Sequence, residues 1–167
     1  MYRKMIFDLL KIGDRGLNMM ITQELLYDIF QKEDADLFDF ISATTDSILL
    51  HMIAGNYNWD DGFEVPQYII QNKNCDLGTA LMIFELAEGY ILYFEELESD
   101  DNDVWFKFVT ELKDNIEKGF YSKKSIQYIP ELSRADKYKL KKTFPDIPDV
   151  FLDGVTGEEV QMIYIGT

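Results

Sequence analysis

One short segment of the chain is apolar on almost every side of the helix that it predicts. Residues 79–87 read Thr-Ala-Leu-Met-Ile-Phe-Glu-Leu-Ala, with Asp76 ahead of them as an N-cap and Gly89 behind them as a stop signal. A helix without a polar face has to be covered by neighbouring elements on several sides. The segment therefore predicts the centre of a folded domain.

Five further segments show the apolar spacing of amphipathic helices. We predict these helices at residues 17–30, 46–54, 65–71, 103–120 and 133–142. After the Asp153-Gly154 dipeptide, apolar and polar residues alternate from Val160 to Ile165, which predicts a short C-terminal β-hairpin. The predicted fold is mainly α: a bundle of about six short helices around a central apolar helix, in a single domain spanning residues 1–167.

The charge of the chain limits its partners. It has 31 acidic against 16 basic residues, a net charge of −15. Nucleic acids and anionic membranes both attract clustered lysines and arginines, so we expect neither as a partner. Disorder is excluded as well, because 14% of the residues are aromatic and 47% are hydrophobic.

Cysteine, histidine and hydropathy limit the compartment and the cofactors. A single cysteine and a single histidine cannot form a disulfide or most structural zinc sites. No apolar run reaches the roughly 20 residues of a membrane span, and the N-terminus lacks a signal-peptide pattern. We therefore expect a cytoplasmic protein without a cofactor.

The charges are unevenly distributed. Residues 122–142 hold seven basic residues against Glu131 and Asp136, a net +5, which leaves −20 for the rest of the chain. Residues 85–117 alone hold eleven acids against two lysines. Two interpretations follow: the basic segment docks on the acidic body or solvates its own face, or the acidic body binds a basic macromolecule.

Two carboxylate clusters invite a metal interpretation. In the first, Asp60, Asp61 and Glu64 could form an acid/base pair or a divalent-metal site, although a turn anchored by Trp59 also explains them. In the second, residues 98–103 lack the spacing of a calcium loop and are interpreted as acids that stabilise the start of a helix.

His51 and Cys75 carry the remaining catalytic chemistry. His51 lies among apolar residues and no nucleophile with a flanking motif accompanies it, so a structural role is favoured over a general base. Cys75 precedes a helix N-terminus, where a thiolate would be stabilised, but a lone cysteine is more typical of a buried small apolar residue.

Two motifs carry a family resemblance, which covers residues 51–152. They comprise Asn58, Trp59, Asp60, Asp61 and Gly62, followed by Cys75, Asp76, Gly78 and Thr79. In them the chain resembles the DUF4274 family, a domain of unknown function. The resemblance implies a bacterial, mainly helical, cytoplasmic protein, and some relatives look like immunity proteins beside toxin genes. It implies no catalytic residues, and we interpret the signature as architecture. Helices in residues 1–50 and a hairpin or tail in residues 153–167 lie outside it.

The leading functional hypothesis is a non-enzymatic, acidic protein-binding module, an immunity protein that neutralises a basic toxin domain. Aromatic anchors and steering charges of the acidic segment would form the interface. The candidate partner-binding residues are Glu88, Tyr93, Glu95, Glu96, Glu98, Asp100, Asp101, Asp103 and Trp105. Two alternatives remain: a divalent-metal-dependent hydrolase that uses Asp60, Asp61 and Glu64, and a self-associating helical scaffold.

Overall fold

The computed structural model describes residues 20–94 and 103–166 of the chain. Within these ranges the fold is mainly helical, as predicted, and no strand is formed. A 3-10 turn (Trp59–Asp61) separates the third helix from the fourth. The nine helices of the described ranges are α1 (Gln23–Phe30), α2 (Asp34–Ala43), α3 (Ser47–Asn56), α4 (Glu64–Gln71), α5 (Leu77–Leu86), α6 (Ile91–Phe94), α7 (Val104–Glu117), α8 (Arg134–Thr143) and α9 (Val150–Asp153).

Helix α5 is the predicted central helix. Its first eight residues are all buried, and it packs against α3 and α7. It ends at Leu86, and Glu88 rather than Gly89 takes the left-handed conformation, with φ of 57°. Gly89 is required for another reason: a Cβ there would lie 2.5 Å from the Phe84 ring. The apolar segment is therefore the core element that its sequence indicates.

The N-terminal part of the bundle departs from the prediction in two places. Helix α1 begins at Gln23 after the Thr22 cap, so Met20 lies before the helix and not on its buried face. Helix α2 was not predicted, because aspartates interrupt its apolar residues and its N-cap, Glu33, makes no capping hydrogen bond. Helix α2 packs against α4, and α4 packs against α3.

Most other helices begin within one residue of the predicted starts, and their caps explain why. The side chains of Asp46, Asp103 and Ser133 accept backbone hydrogen bonds at the starts of α3, α7 and α8. Ser133 and Asp136 form a capping box. Helix α7 ends at Glu117, and Gly119 follows it with φ of 70°.

The predicted C-terminal hairpin is wrong. Residues 154–166 form only isolated bridges, Tyr128 with Val155 and Ile126 with Glu158. Further along, the Asn56 side chain donates to Ile163 O at 2.9 Å and accepts from Ile165 N at 2.9 Å. The backbone groups of Ile163 and Ile165 thus form hydrogen bonds with a side chain of α3 and not with a second strand.

The basic helix α8 docks on its own neighbour. Lys137 pairs with Asp153 at 3.2 Å, and Lys141 pairs with Asp149 at 3.0 Å. Lys139 lies over the Phe94 ring, 5.1 Å from its centre. In the described ranges, α8 therefore forms its ion pairs with α9 and the residue before it, and not with the carboxylates of residues 85–117.

Candidate functional site

The candidate partner-binding residues fall into two groups. Glu88, Tyr93, Asp103 and Trp105 lie in the described ranges. Glu88 is exposed, and Asp103 caps α7 by accepting from Phe106 N at 3.1 Å. The others lie outside the described residues: Glu95, Glu96, Glu98, Asp100 and Asp101.

The two aromatic anchors point inward. Trp105 is half-buried, and its indole N–H donates to Ala87 O at 2.7 Å. Tyr93 packs edge-on against Phe144 and Phe151, and its hydroxyl donates to Glu117 at 3.3 Å. Both side chains thus contribute to the fold with their polar atoms already occupied, which leaves less of them for a partner than the sequence suggested.

Carboxylates elsewhere in residues 85–117 are also engaged within the molecule. Glu85 accepts from the Tyr128 hydroxyl at 2.6 Å and from Glu131 N at 2.9 Å. Three more carboxylates of this segment accept from side chains: Glu111 from Gln67 at 3.0 Å, Asp114 from Lys118 at 2.7 Å and Glu117 from Lys113 at 2.9 Å. Much of the described charge on this face is therefore committed to intramolecular contacts.

The second signature motif forms a buried clamp. Asp76 is 0% exposed; one carboxylate oxygen accepts from Gly78 N at 2.9 Å, and the other accepts from Ser125 N at 2.7 Å and Ser125 Oγ at 2.8 Å. A Cβ on Gly78 would clash with Ile126 O. The motif therefore holds residues 125–126 against the start of α5.

His51 belongs to the same buried region. Its Nδ1 lies 3.0 Å from Thr79 Oγ1. Burial lowers the pKa of His51 to about 4, and the charge of nearby Asp76 opposes this only in part. Burial likewise raises the pKa of the Cys75 thiol well above its usual range. A neutral imidazole and an un-ionised thiol match the structural roles predicted for both residues.

The first signature motif forms an exposed turn. Asn58 caps the 3-10 turn through a contact of 3.4 Å with Asp60 N, and Gly62 follows it with φ of 95°. Trp59 is half-buried and meets the rings of Tyr57, Phe63 and Phe108 edge-on. The indole anchors the turn as predicted, while Asp60 and Asp61 remain exposed.

An acidic cleft of about 500 Å³ opens beside this turn. It lies between residues that flank the α1–α2 connection and residues that lead into α4. Its lining, which defines the acidic cleft, consists of Phe30, Lys32, Asp34, Leu37 and Phe38 from the first region and Tyr57, Asp61, Glu64 and Val65 from the second. A cleft of this size is in the range of ligand-binding pockets, roughly 300–1,000 Å³.

The carboxylates of the acidic cleft are not neutralised within the described ranges. There, the side chains of Asp34, Asp61 and Glu64 accept no hydrogen bond and form no ion pair. Lys32 lies over the Phe40 ring, 5.5 Å from its centre. Burial together with the charges of Asp61, Glu64 and Asp34 raises the pKa of Tyr57 to about 12. The cleft thus combines an apolar floor with unpaired negative charge.

The sequence pattern indicates only part of this cleft. Asp61 and Glu64 were candidates, but Asp34, Lys32 and Tyr57 were not. The signal that could have found them is the charge run Lys32-Glu33-Asp34 at the start of a helix. Without α2 in the prediction, nothing brought that run next to the Asp60-Asp61 turn.

Among the residues that the structure describes, no three His, Cys, Asp or Glu side chains are grouped so that they could hold a metal ion.

None of the described helices is both long and apolar enough to cross a membrane.

Comparisons with known proteins give one match. Residues 45–117 match the family model described as Domain of unknown function (DUF4274). The match contains both signature motifs but ends at the C-terminus of α7, so residues 118–152, which the sequence resemblance had included, lie beyond it. No curated protein and no solved structure matches the chain. The stretch from residue 45 to residue 117 thus resembles the DUF4274 family, whose function is unknown.

Proposed function

We propose that this chain is an acidic protein-binding module that binds and neutralises a basic partner, as an immunity protein neutralises a toxin domain. We place it in the bacterial cytoplasm and assign it no catalytic activity. The proposal depends on one observation above all: the acidic cleft presents three carboxylates that are unpaired within the described ranges.

The surroundings of the cleft strengthen its negative field. Residues 20–64 contain ten acidic residues and a single basic residue, Lys32. An uneven charge of this kind attracts a positive surface from a distance and raises the association rate. By contrast, the described carboxylates of residues 85–117 are largely engaged in contacts within the chain. We therefore propose that the partner binds residues 20–64 and not residues 85–117.

Three lysines of the basic segment, residues 122–142, form contacts away from the acidic cleft. Lys137 and Lys141 are paired with Asp153 and Asp149, and Lys123 donates to Ser47 and Asn74. These contacts keep the three lysines with their own neighbours.

The proposal is tested by binding to the product of the adjacent gene in the genome of origin. Affinity is measured by calorimetry between about 0.1 M and about 1 M salt, over which the Debye length falls from roughly 10 Å to 3 Å. We expect binding at the lower salt concentration that weakens at least about tenfold at the higher one. No retained protein in a pull-down from the same organism, together with no binding to the neighbouring product at low salt, would overturn the proposal.

The two alternatives have less support. The hydrolase requires metal ligands, and the carboxylates of the described ranges are not grouped as such. Heat released on titration with magnesium, manganese or calcium would revive it. The self-associating scaffold would show a dimer or larger species in sedimentation, whereas a binding module for a different protein is expected to sediment as a monomer.

A further inference from the structure

We propose that residues 160–166, which we call the strap, occupy a peptide-binding site of their own chain, and that an extended segment of the protein partner displaces them from it. The strap site consists of Gln23 on α1 and of Met52, Gly55 and Asn56 on α3. This inference rests on the proposed function for the existence of a partner. It adds the form of the segment that the partner inserts and the place where that segment binds.

Asn56 binds the backbone of the strap as a neighbouring β-strand would. Its side-chain amide donates to Ile163 O at 2.9 Å and accepts from Ile165 N at 2.9 Å. This acceptor and this donor lie on either side of Tyr164, as do the two groups that one residue of a parallel strand engages. Gln23 adds a third backbone contact by donating to Tyr164 O at 3.1 Å. Recognition of this kind depends on an extended backbone more than on particular side chains.

The side chains of the strap supply the selectivity of the site. Four of them are half-buried and pack against the hydrophobic core: Val160, Met162, Ile163 and Ile165. A Cβ on Gly55 would clash with the Met162 methyl group, so the glycine leaves a slot for this side chain. None of the residues 160–166 is charged. The site therefore suits an uncharged segment with an apolar residue in the Gly55 slot.

The strap is attached less firmly than the helices beside it. Just before the strap, Glu158 forms backbone hydrogen bonds with Ser125 at 2.7 Å and with Gln127 at 2.9 Å. From residue 160 onward, the hydrogen bonds within the described ranges are made with side chains, and no helix or strand forms there. Half-buried segments without regular structure open locally at a lower cost than the whole fold. The strap can therefore leave its site while α1 and α3 stay folded.

The strap site lies within the region to which we assign the partner. Helices α1 and α3 both belong to residues 20–64, where the acidic charge attracts a basic protein. A partner segment on the same path would form the backbone bonds to Asn56 and Gln23 and would cover the apolar surface that the strap leaves. Because the site is open only while the strap is detached, the strap lowers the apparent affinity for the partner.

The first test is amide hydrogen exchange of the unmodified chain, observed by nuclear magnetic resonance. The Ile165 amide donates to Asn56, and the Ala80 amide lies in the buried core of α5. After correction for intrinsic rates, we expect the Ile165 amide to exchange at least about 100-fold faster than the Ala80 amide. Equal protection of the two amides would show that the strap opens only when the whole fold does, and would overturn the inference.

The second test supplies the strap as a separate peptide of residues 157–167. The receptor is the full chain with M162D/I165D, which charges two half-buried strap residues and thereby detaches the strap. We expect the peptide to bind this variant at least about tenfold more tightly than the unmodified chain, whose tethered strap competes at an effective concentration near the millimolar range. Absence of binding, or loss of the helical circular dichroism spectrum in the variant, would overturn the inference, because a detachable strap is not needed for the fold.

Two altered peptides with the same change in charge identify the side chains that the site recognises. One carries M162D/I165D at positions that pack on the core, and the other carries Q161D/Y164D at the exposed positions. With the M162D/I165D chain as receptor, we expect the first peptide to bind at least about tenfold more weakly than the parent peptide and the second to bind equally. Equal weakening of both would mean that charge and not fit governs binding, which contradicts the inference.

The neighbouring gene product separates this inference from the proposed function. We expect it to bind the M162D/I165D chain at least about tenfold more tightly than the Q161D/Y164D chain, which carries the same added charge but keeps its strap in place. If it binds both chains with equal affinity, the partner does not use the strap site, and the inference fails while the proposed function stands. If it binds neither these chains nor the unmodified chain at low salt, the proposed function fails, whatever the peptides and exchange rates show.

Discussion

The two motifs of the family signature use aspartate in opposite ways. Asp76 is fully buried and accepts three hydrogen bonds, which join the start of α5 to Ser125. The side chain of Asp61 is exposed and has no hydrogen bond or ion pair within the described ranges. A signature that looks uniformly architectural in the sequence thus divides into a clamp whose carboxylate accepts three hydrogen bonds and a turn whose carboxylates accept none within the described ranges.

The largest expected effect separates the clamp from an ordinary helix cap. Asp76→Ala removes three hydrogen bonds, one of them from the buried Gly78 N, so we expect the free energy of unfolding to fall by about 3–4 kcal/mol. The matched control is Asp46→Ala, which removes a less buried cap on Ile48 N and Leu49 N and should cost only about 1 kcal/mol. Urea denaturation measures both, and equal losses would show that the clamp adds nothing to capping.

The next effect is a dependence on pH in the clamp region. The pKa of His51 is about 4 in the folded chain and 6.5 in the reference state. Between these values the unfolded chain binds a proton that the folded chain does not, so stability falls as pH decreases. From pH 7 to pH 5 we expect a loss of about 2 kcal/mol from this residue.

The variant His51→Gln isolates that contribution from those of the carboxylates. Its unfolding free energy should change less between pH 7 and pH 5 than that of the unmodified chain, because no imidazole is left to protonate. Parallel stability curves for the two proteins would contradict the lowered pKa of His51.

The smallest expected effect on stability belongs to the exposed turn. Asp61→Asn removes a charge that has no partner within the described ranges, so the unfolding free energy should change by less than about 0.5 kcal/mol. Relief of repulsion from Asp34 and Glu64 would make any change a gain. If urea denaturation showed that the unfolding free energy falls by more than about 1 kcal/mol, Asp61 would have a structural role like that of Asp76.

Local signals in the sequence predicted the helical part of this fold. Asp76, Asp103 and Ser133 act as caps because capping is a contact between residues two or three positions apart. The apolar segment was placed at the core because a helix without a polar face has few alternatives. Helix α2 escaped prediction because no such cap marks its start.

The acidic cleft and the C-terminal residues 154–166 could not be predicted, because both depend on contacts between residues far apart in the chain. Asp34 lines the same cleft as Asp61 and Glu64 only because α2 packs on α4, a tertiary contact that no local pattern encodes. Val160 to Ile165 alternate like a strand, yet their backbone partner is the side chain of Asn56. The hydrogen bond from Trp105 to Ala87 O is also a tertiary contact. Because the sequence does not reveal this contact, the Trp105 ring was predicted to be available to a partner.

The contacts of Asn56 have a consequence for synthesis. Its side chain bonds to residues that follow it by 107 and 109 positions, and Gln23 at the start of α1 donates to Tyr164 O at 3.1 Å. Because a ribosome releases the chain from its N-terminus, α1 and α3 emerge long before these partners do. The nascent chain therefore carries its acidic N-terminal half with these bonds unmade, and the fold closes only after residue 165 has emerged.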